Sequence, residues 1–336
     1  MNIAIFGAGA IGTYLAARLV ASGLSITLIA RARTAGKILE SGLCVEEDET
    51  PMLRIFPKAG GLAVSTAARA QETGARFDAL LITTKSQQIL PALPEIEPLI
   101  APHTLIACLQ NGIPWWYFQG QDGRPLQCLD PDNAIPAILP ARQLLGGVIH
   151  KSVDLRCPGH ALARHAPGDR FIFGSPLPDG YMPEGEATLL AAFRAAELSP
   201  QKSTNIRRDV WEKLLGNAVL NPLSALANAS IADIVDFAPA CALSVAAIRE
   251  TLNVAAAYHV TLDVSPEERL NRARAVGRAR SSMLQDKIRH RPLETEGILG
   301  GLLELAQRKN IPVPRLETLY AATTLLSRHS APGIHA

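Results

Sequence analysis

Several signatures are missing from this chain. Its five cysteines (Cys44, Cys108, Cys128, Cys157 and Cys241) are odd in number, and none stands in a CxxC pair. No metal motif or disulfide framework is visible, so a reducing cytoplasm is the default setting. Cys108 lies in an apolar run and reads as core. The formal net charge is only +2, which gives no reason to expect nucleic acid. The basic cluster from Arg269 to Arg291 is interrupted by Asp286 and preceded by Glu267 and Glu268, and reads first as a solvated helix face and second as a mild attraction for an anionic substrate. No apolar run is long enough to suggest a membrane span. No targeting segment is expected, because Met1-Asn2 leads straight into a strand pattern and a glycine loop. There is no internal repeat.

What is present fits a globular protein. The chain has 336 residues, 48% hydrophobic and 19% charged, enough for two ordinary domains. Asn2–Phe6 reads as a buried strand, a helical pattern runs through Leu15 and Leu19 to Gly23, and Ser25–Ala30 reads as a second strand. Such a unit with short connections belongs in a parallel, doubly wound α/β sheet. Further strands are expected at Ala79–Thr84 and Thr104–Leu109. The β-like pieces Gly147–Val153, His160–His165 and Arg170–Phe173 suggest an antiparallel extension of the same sheet. Gly174–Gly185 reads as a loop and Ser199–Thr204 as a last short strand. From Ile206 the pattern is helical: one long helix opens at Ser265 and ends before Pro292, the next spans Glu294–Arg308, and the last follows Pro314 and runs to about Leu326 with a frayed tail. The expected division is an α/β domain over 1–204 and an all-helical domain over 205–330.

Gly7-Ala8-Gly9-Ala10-Ile11-Gly12 lies between the first strand and its helix, the context that turns a weak GxGxxG into a dinucleotide signal. Gly7 permits the tight turn, Gly9 lets the backbone approach a pyrophosphate, and Gly12 lets helix and strand pack closely. No acidic residue occurs between Met1 and Leu39, so the usual partner of a ribose 2′-hydroxyl is missing. Arg31 closes the second strand instead and can take a 2′-phosphate, which favours NADP(H). Lys85 and Asn111 end two more strands, where open parallel sheets bind ligands. On spacing alone Asn111-Gly112 is equally a turn.

A second constellation lies on the helix beginning near Trp211. Lys213, Asn217 and Asn221 are spaced four apart and form one line along it, while Trp211, Leu214, Leu215, Ala218, Val219 and Leu220 make the rest too apolar for an ordinary surface helix. Desolvation of such a lysine lowers its pKa and prepares it to give up a proton. Ser282 and Glu294, taken alone, read as a helix serine and a first-turn acid.

Together these motifs resemble the ketopantoate reductase family over nearly the whole chain. They are the amino-terminal GxGxxG, Lys85, Leu109-Gln110-Asn111-Gly112, Gly146-Gly147, Pro167-Gly168-Asp169, Phe173-Gly174, Trp211-Glu212-Lys213-Leu214 with Asn217 and Asn221-Pro222, and Ser281-Ser282-Met283-Leu284-Gln285-Asp286 with Glu294. The resemblance implies a Rossmann domain followed by a helical domain, and the reduction of 2-dehydropantoate to (R)-pantoate by NADPH on the way to pantothenate and coenzyme A. It implies Lys213 as general acid and Glu294 as the glutamate that positions it and helps hold the substrate. It further implies Asn111, Asn217, Asn221 and Ser282 on the substrate. Asn111 then lies near the nicotinamide and Lys85 on the cofactor side. Gly7, Ala8, Gly9, Ala10, Ile11, Gly12 and Arg31, with Asn111 and Glu294, complete the NADP(H) contacts.

The chain departs from the family pattern at Leu299, where an asparagine is common, and at Ile231 and Ala279, where some members carry asparagines. A reductase of another branched 2-oxo acid is therefore the alternative, and a non-catalytic NADPH-binding regulator is a third. Trp115-Trp116-Tyr117-Phe118 either lines an apolar pocket or simply packs. The apolar helical half permits a homodimer.

Overall fold

The computed structural model describes residues 1–48, 50–57, 60–121, 123–166, 168–178, 180–275 and 277–330. Of the family-like motifs, Pro167 lies outside the described residues, as does the tail beyond Ser330. The chain divides into two units. One holds Met1–Gln110, Phe118–Arg124 and Asn133–Ile206, and the other Asn111–Tyr117, Pro125–Asp132 and Arg207–Ala336. The helical unit thus takes in two segments from within the first 204 residues, one of them beginning at Asn111.

The first unit is a Rossmann-type sheet unit. Its strands are β1 (Asn2–Phe6), β2 (Ser25–Ile29), β3 (Leu43–Glu47), β4 (Leu53–Ile55), β5 (Leu62–Ser65), β6 (Ala79–Ile82), β7 (Leu105–Cys108), β8 (Leu144–His150), β9 (Ser152–Cys157), β10 (His160–Arg164), β11 (Arg170–Gly174) and β12 (Pro200–Lys202). Among the described residues they form an eight-stranded sheet, ordered β12-β11-β8-β7-β6-β1-β2-β5, and a four-stranded sheet, β4-β3-β10-β9. In the large sheet β1 pairs in parallel with both β2 and β6, so strand order reverses at β1. That reversal opens the crevice where such sheets bind ligands. Strands β6 and β7 are buried throughout, as continuous apolar runs in a doubly covered parallel sheet must be.

The β-rich middle of the chain differs from expectation. Of the three β-like pieces expected there, only β8 and β11 join the large sheet, antiparallel to each other, with β12 parallel to β11 at its edge. Strands β9 and β10 join a separate sheet, in which β10 runs parallel to β3. Its inner residues, including Val45, Ala161 and Ala163, belong to the same buried core as Leu15 and Leu19 of the first helix, Ala10–Ala21. Lys151, between β8 and β9, pairs with Glu47 at the end of β3 and with Asp169 just before β11, and so ties the two sheets together.

The second unit is helical. The expected long helix after Ser265 is two, Pro266–Arg274 and Ser282–Ile288. Each starts on a serine cap, Ser265 and Ser281 accepting hydrogen bonds from Glu268 N and Leu284 N. Helix Ala238–Ala257 is long and apolar enough by length and composition to cross a membrane, which corrects the expectation that no run is. It carries Arg249 and Glu250, and Glu250 is buried and bound by Arg315 Nη1 at 3.2 Å within this unit, so its apolar residues serve the bundle. The stretch expected as a helix from Glu294 begins with a π-helical turn, Glu296–Gly300, before the α-helix Gly301–Arg308.

Candidate active site

In the sheet unit the glycine loop has the geometry of a phosphate cradle. Gly7 has a φ of +114°, and a side chain there would press on Thr84. A methyl at Gly12 would lie 1.9 Å from the Gly7 carbonyl oxygen, so only glycine lets the helix approach the loop this closely. At Gly9, by contrast, nothing lies within 4 Å of the added carbon, and the backbone faces open space. Gly9 is also the N-cap of the first helix, with no side-chain cap and no acidic residue in the first turn. The N–H groups of Ala10 and Ile11 therefore open a helix whose positive end is uncompensated. Thr83 Oγ1 donates to the Gly7 carbonyl at 2.8 Å and holds the loop against the end of β6.

Arg31 lies one residue beyond Ala30, past the end of β2, exposed at the N-cap of helix Ala32–Ser41. Lys85 caps the short 3-10 turn after β6, its N–H donating to Gln88 Oε1. Gln110, which ends the β7 segment, donates through Nε2 to the carbonyls of Ile82 and Thr84 at 2.7 and 3.1 Å. This positioning role was not visible in the sequence, because Gln110 acts on a strand far from it in the chain.

The helical unit assembles three of the expected residues. Lys213, on the long helix Ile206–Ala227, donates from Nζ to Asn111 Oδ1 at 2.6 Å. Asn111 Nδ2 in turn donates to Glu294 Oε2 at 3.2 Å. The amide thus links cation to carboxylate, using its acceptor on one side and its donor on the other. Glu294 is buried. Burial pulls the pKa of Lys213 down to about 8, while the negative charge of Glu294 works to raise it.

Asn111 is held there by the backbone. Gly112 has a φ of +84°, and a side chain on it would lie 1.9 Å from the Gly297 carbonyl oxygen. That carbonyl belongs to the π turn and accepts from Ile113 N at 2.8 Å. The other end of the segment is fixed by aromatics. Trp211 Nε1 donates to Tyr117 Oη at 2.8 Å, and Arg207 Nε to the Tyr117 carbonyl at 2.7 Å. Trp115, Trp116 and Tyr117 are all buried, so this aromatic run packs and does not offer an open pocket wall.

The remaining candidates stand apart from this hydrogen-bonded set. Asn221 is buried and Asn217 partly so, and among the described residues neither side chain has a hydrogen-bond partner. Ser282 is exposed at the first position of its helix, the buried cap being Ser281. That helix is tied to the lysine helix by Lys287 Nζ, which donates to the Ala225 carbonyl at 2.8 Å. Leu299 is fully buried in the π turn. Ile231 N donates to the Ala279 carbonyl at 3.1 Å, so the two positions that lack asparagines meet through their backbones. Arg269 corrects the reading of its cluster as a solvated face. Its guanidinium lies against the lysine helix, 1.8 Å from where a methyl on Gly216 would be. Burial lowers its pKa, a lowering that Arg272 reinforces and Glu212 opposes.

Two family models cover most of the chain. "Ketopantoate reductase PanE/ApbA" matches residues 3–176, and "Ketopantoate reductase PanE/ApbA C terminal" matches residues 205–327. The chain belongs to the ketopantoate reductase family. Members of this family are NAD(P)-dependent oxidoreductases. A 2-dehydropantoate 2-reductase of Mesorhizobium japonicum is 33% identical over 97% of this chain and 98% of its own. The crystal structure of a 2-dehydropantoate 2-reductase from Geobacter metallireducens is 26% identical, with a TM-score of 0.82 over 97% of this chain and 99% of that one. A D-mandelate dehydrogenase, solved with NADH and anilino(oxo)acetate, shares the fold at 22% identity, with a TM-score of 0.81 over 98% of this chain and 99% of that one.

The fit of Gly112 against Gly297 generates a test of the site's framework. Gly112→Ala is expected to destabilise the protein by about 1–3 kcal/mol, through a left-handed φ and a backbone collision. Denaturant unfolding measures this, and an unchanged midpoint would show that the loop can retreat from the π turn at no cost.

Proposed function

We propose that this chain reduces 2-dehydropantoate to (R)-pantoate with NADPH, with Lys213 as the general acid. One observation carries the reading: a desolvated lysine whose proton is directed at an amide oxygen, in a set closed by a buried carboxylate. The open backbone at Gly9, the uncapped helix behind it and Arg31 at the end of β2 fit a phosphorylated dinucleotide. NADPH, when bound, supplies the hydride.

The residues of this chain supply the rest. Hydride addition at C2 of a 2-oxo acid drives the carbonyl electron pair onto oxygen, and an N–H⁺ placed there lowers the barrier. Lys213 gives its proton to that oxygen as the alcohol forms, and becomes the neutral amine. In the free protein Asn111 Oδ1 accepts from this N–H⁺, so the substrate oxygen has to compete with the amide for it. Glu294 opposes the loss of charge that burial favours, which keeps the lysine mostly protonated near neutral pH. Asn217 and Asn221 have unused amides on the same helix line and suit the substrate's hydroxyl group and carboxylate. Pantothenate biosynthesis in the cytoplasm follows from this assignment.

Steady-state kinetics with NADPH and a panel of 2-oxo acids tests the substrate. The expected result is the highest kcat/KM on 2-dehydropantoate. Preference for another branched 2-oxo acid would overturn the substrate and leave the chemistry standing, whereas no turnover with any of them would favour a non-catalytic NADPH binder. For the acid, protonated Lys213 is the active form in reduction, so the rate is expected to fall as pH rises through about 8. Lys213→Ala is expected to lower kcat by roughly 10²–10⁴-fold while NADPH binding stays nearly intact. A variant that keeps both the rate and the alkaline limb would remove Lys213 from the mechanism. Arg31→Ala is expected to weaken NADPH by about 10–100-fold, the loss of a charge-assisted hydrogen bond, and NADH far less. Equal losses for the two cofactors would refute the 2′-phosphate role.

A further inference from the structure

The outer face of the four-stranded sheet carries a cluster that the reductase reading does not use. Cys44 lies on β3, and Glu46, two residues on, shares its face while Val45 between them turns into the core. His160, the first residue of β10, stands opposite Cys44 in the parallel register. Its Nε2 is 2.6 Å from Glu46 Oε1. One thiol, one carboxylate oxygen and one imidazole nitrogen from these three residues all lie within 4.8 Å of one another. All three side chains are partly buried, between the sheet and solvent.

We propose that Cys44, Glu46 and His160 form a binding site for a divalent cation of the zinc class. Sulfur, imidazole and carboxylate together suit zinc, which takes such donors in tetrahedral arrays at roughly 2.0–2.3 Å. To take the metal, His160 and Glu46 part slightly and give up their mutual hydrogen bond, and the Cys44 sulfur closes on them from within 4.8 Å. Three protein ligands leave a fourth position to water, the form taken by open zinc sites. The cross-strand row also decides which thiol binds. Cys157 faces His160 from β9, the strand on its other side, so Cys44 and Cys157 are two strand spacings apart and His160 lies between them. Cys44 shares its strand with Glu46, and Cys157 does not. On the far side of Cys44, Arg54 of β4 stands opposite it, its Nε 3.3 Å from the Met52 sulfur, and its positive charge acts on the Cys44 thiol. Metal here would clip residues 114 positions apart in the chain, across the one parallel pairing in this small sheet.

The test uses the full-length protein, stripped with chelator and titrated with Co²⁺ as a probe and then with Zn²⁺. The expected result is a thiolate-to-cobalt charge-transfer band of one equivalent, displaced by Zn²⁺, together with a Zn²⁺-dependent rise in Tm. Cys44→Ser and His160→Ala should each lose the band, and Cys157→Ser should keep it. NADPH binding should be unchanged in all of them, because no cofactor-site residue is altered. Absence of the band in the unaltered protein, its survival in Cys44→Ser, or its loss only in Cys157→Ser would overturn the proposal. The variant Cys44→His, which puts an imidazole nitrogen in place of the sulfur donor, should retain the Zn²⁺ effect on Tm without the thiolate band. A Tm indifferent to Zn²⁺ in both that variant and the unaltered protein would also count against the site.

Discussion

The helical unit depends on a backbone contact that leaves no room for a β-carbon: Gly112 seated on the carbonyl of Gly297. It brings a loop from the end of β7 onto the π turn and delivers Asn111 between Lys213 and Glu294. A π turn is a costly way to continue a helix, and it is found mostly where function needs the distortion. Here it presents the Gly297 carbonyl to Ile113 N, a bond that a regular helix would have kept for itself. The aromatic end of the same segment, Tyr117 on Trp211, is bound just before the lysine on its own helix. Both ends of a short loop are thus fixed to the elements that carry the other two members of the set.

That rigidity matters because the set works against stability. A lysine in a dry environment loses hydration that one amide oxygen replaces only in part. A surface lysine would avoid that cost and keep a pKa near the ordinary lysine value. The charge of Glu294 moderates the effect without abolishing it, and Asn111 links the carboxylate to the ammonium by hydrogen bonds. The neutral amide between them transmits orientation, and it can yield its place to another oxygen at less cost than a direct ion partner.

The dinucleotide loop was legible in the sequence because its logic is local: glycines at fixed offsets, a strand before and a helix after. The lysine line was legible for the same reason, as a period of four along one helix. What lay hidden was non-local. Strands β3 and β4 are short and partly polar, and β3 finds its parallel partner in β10 more than a hundred residues later, as the 114-position separation of Glu46 and His160 shows. No period within either segment announces that pairing. For the same reason Cys44, Glu46 and His160 match no spacing motif, and the chain reads as free of metal sites. Asn111 read as the end of a sheet strand, but its neighbour Gly112 packs on the π turn, and Asn111 groups with the helical unit. Ser281 and Ser282 are indistinguishable by type, and only the cap geometry separates the buried one from the exposed one.

The first helix begins at Gly9 with no side-chain cap and no acid in its opening turn. Side chains cap other helices at Thr66, Ser230, Ser265 and Ser281, while Ala32–Ser41 and Ala238–Ala257 share the uncapped start. What sets Gly9 apart is the open space beside it, which leaves donors that an outside anion can complete. A dinucleotide seated there would act as the missing cap, and its concentration would enter the folding equilibrium: each tenfold excess over Kd adds about 1.4 kcal/mol. The sheet unit would then be sturdiest where reduced cofactor is plentiful, and starvation for that cofactor would shorten the protein's life as well as slow its turnover.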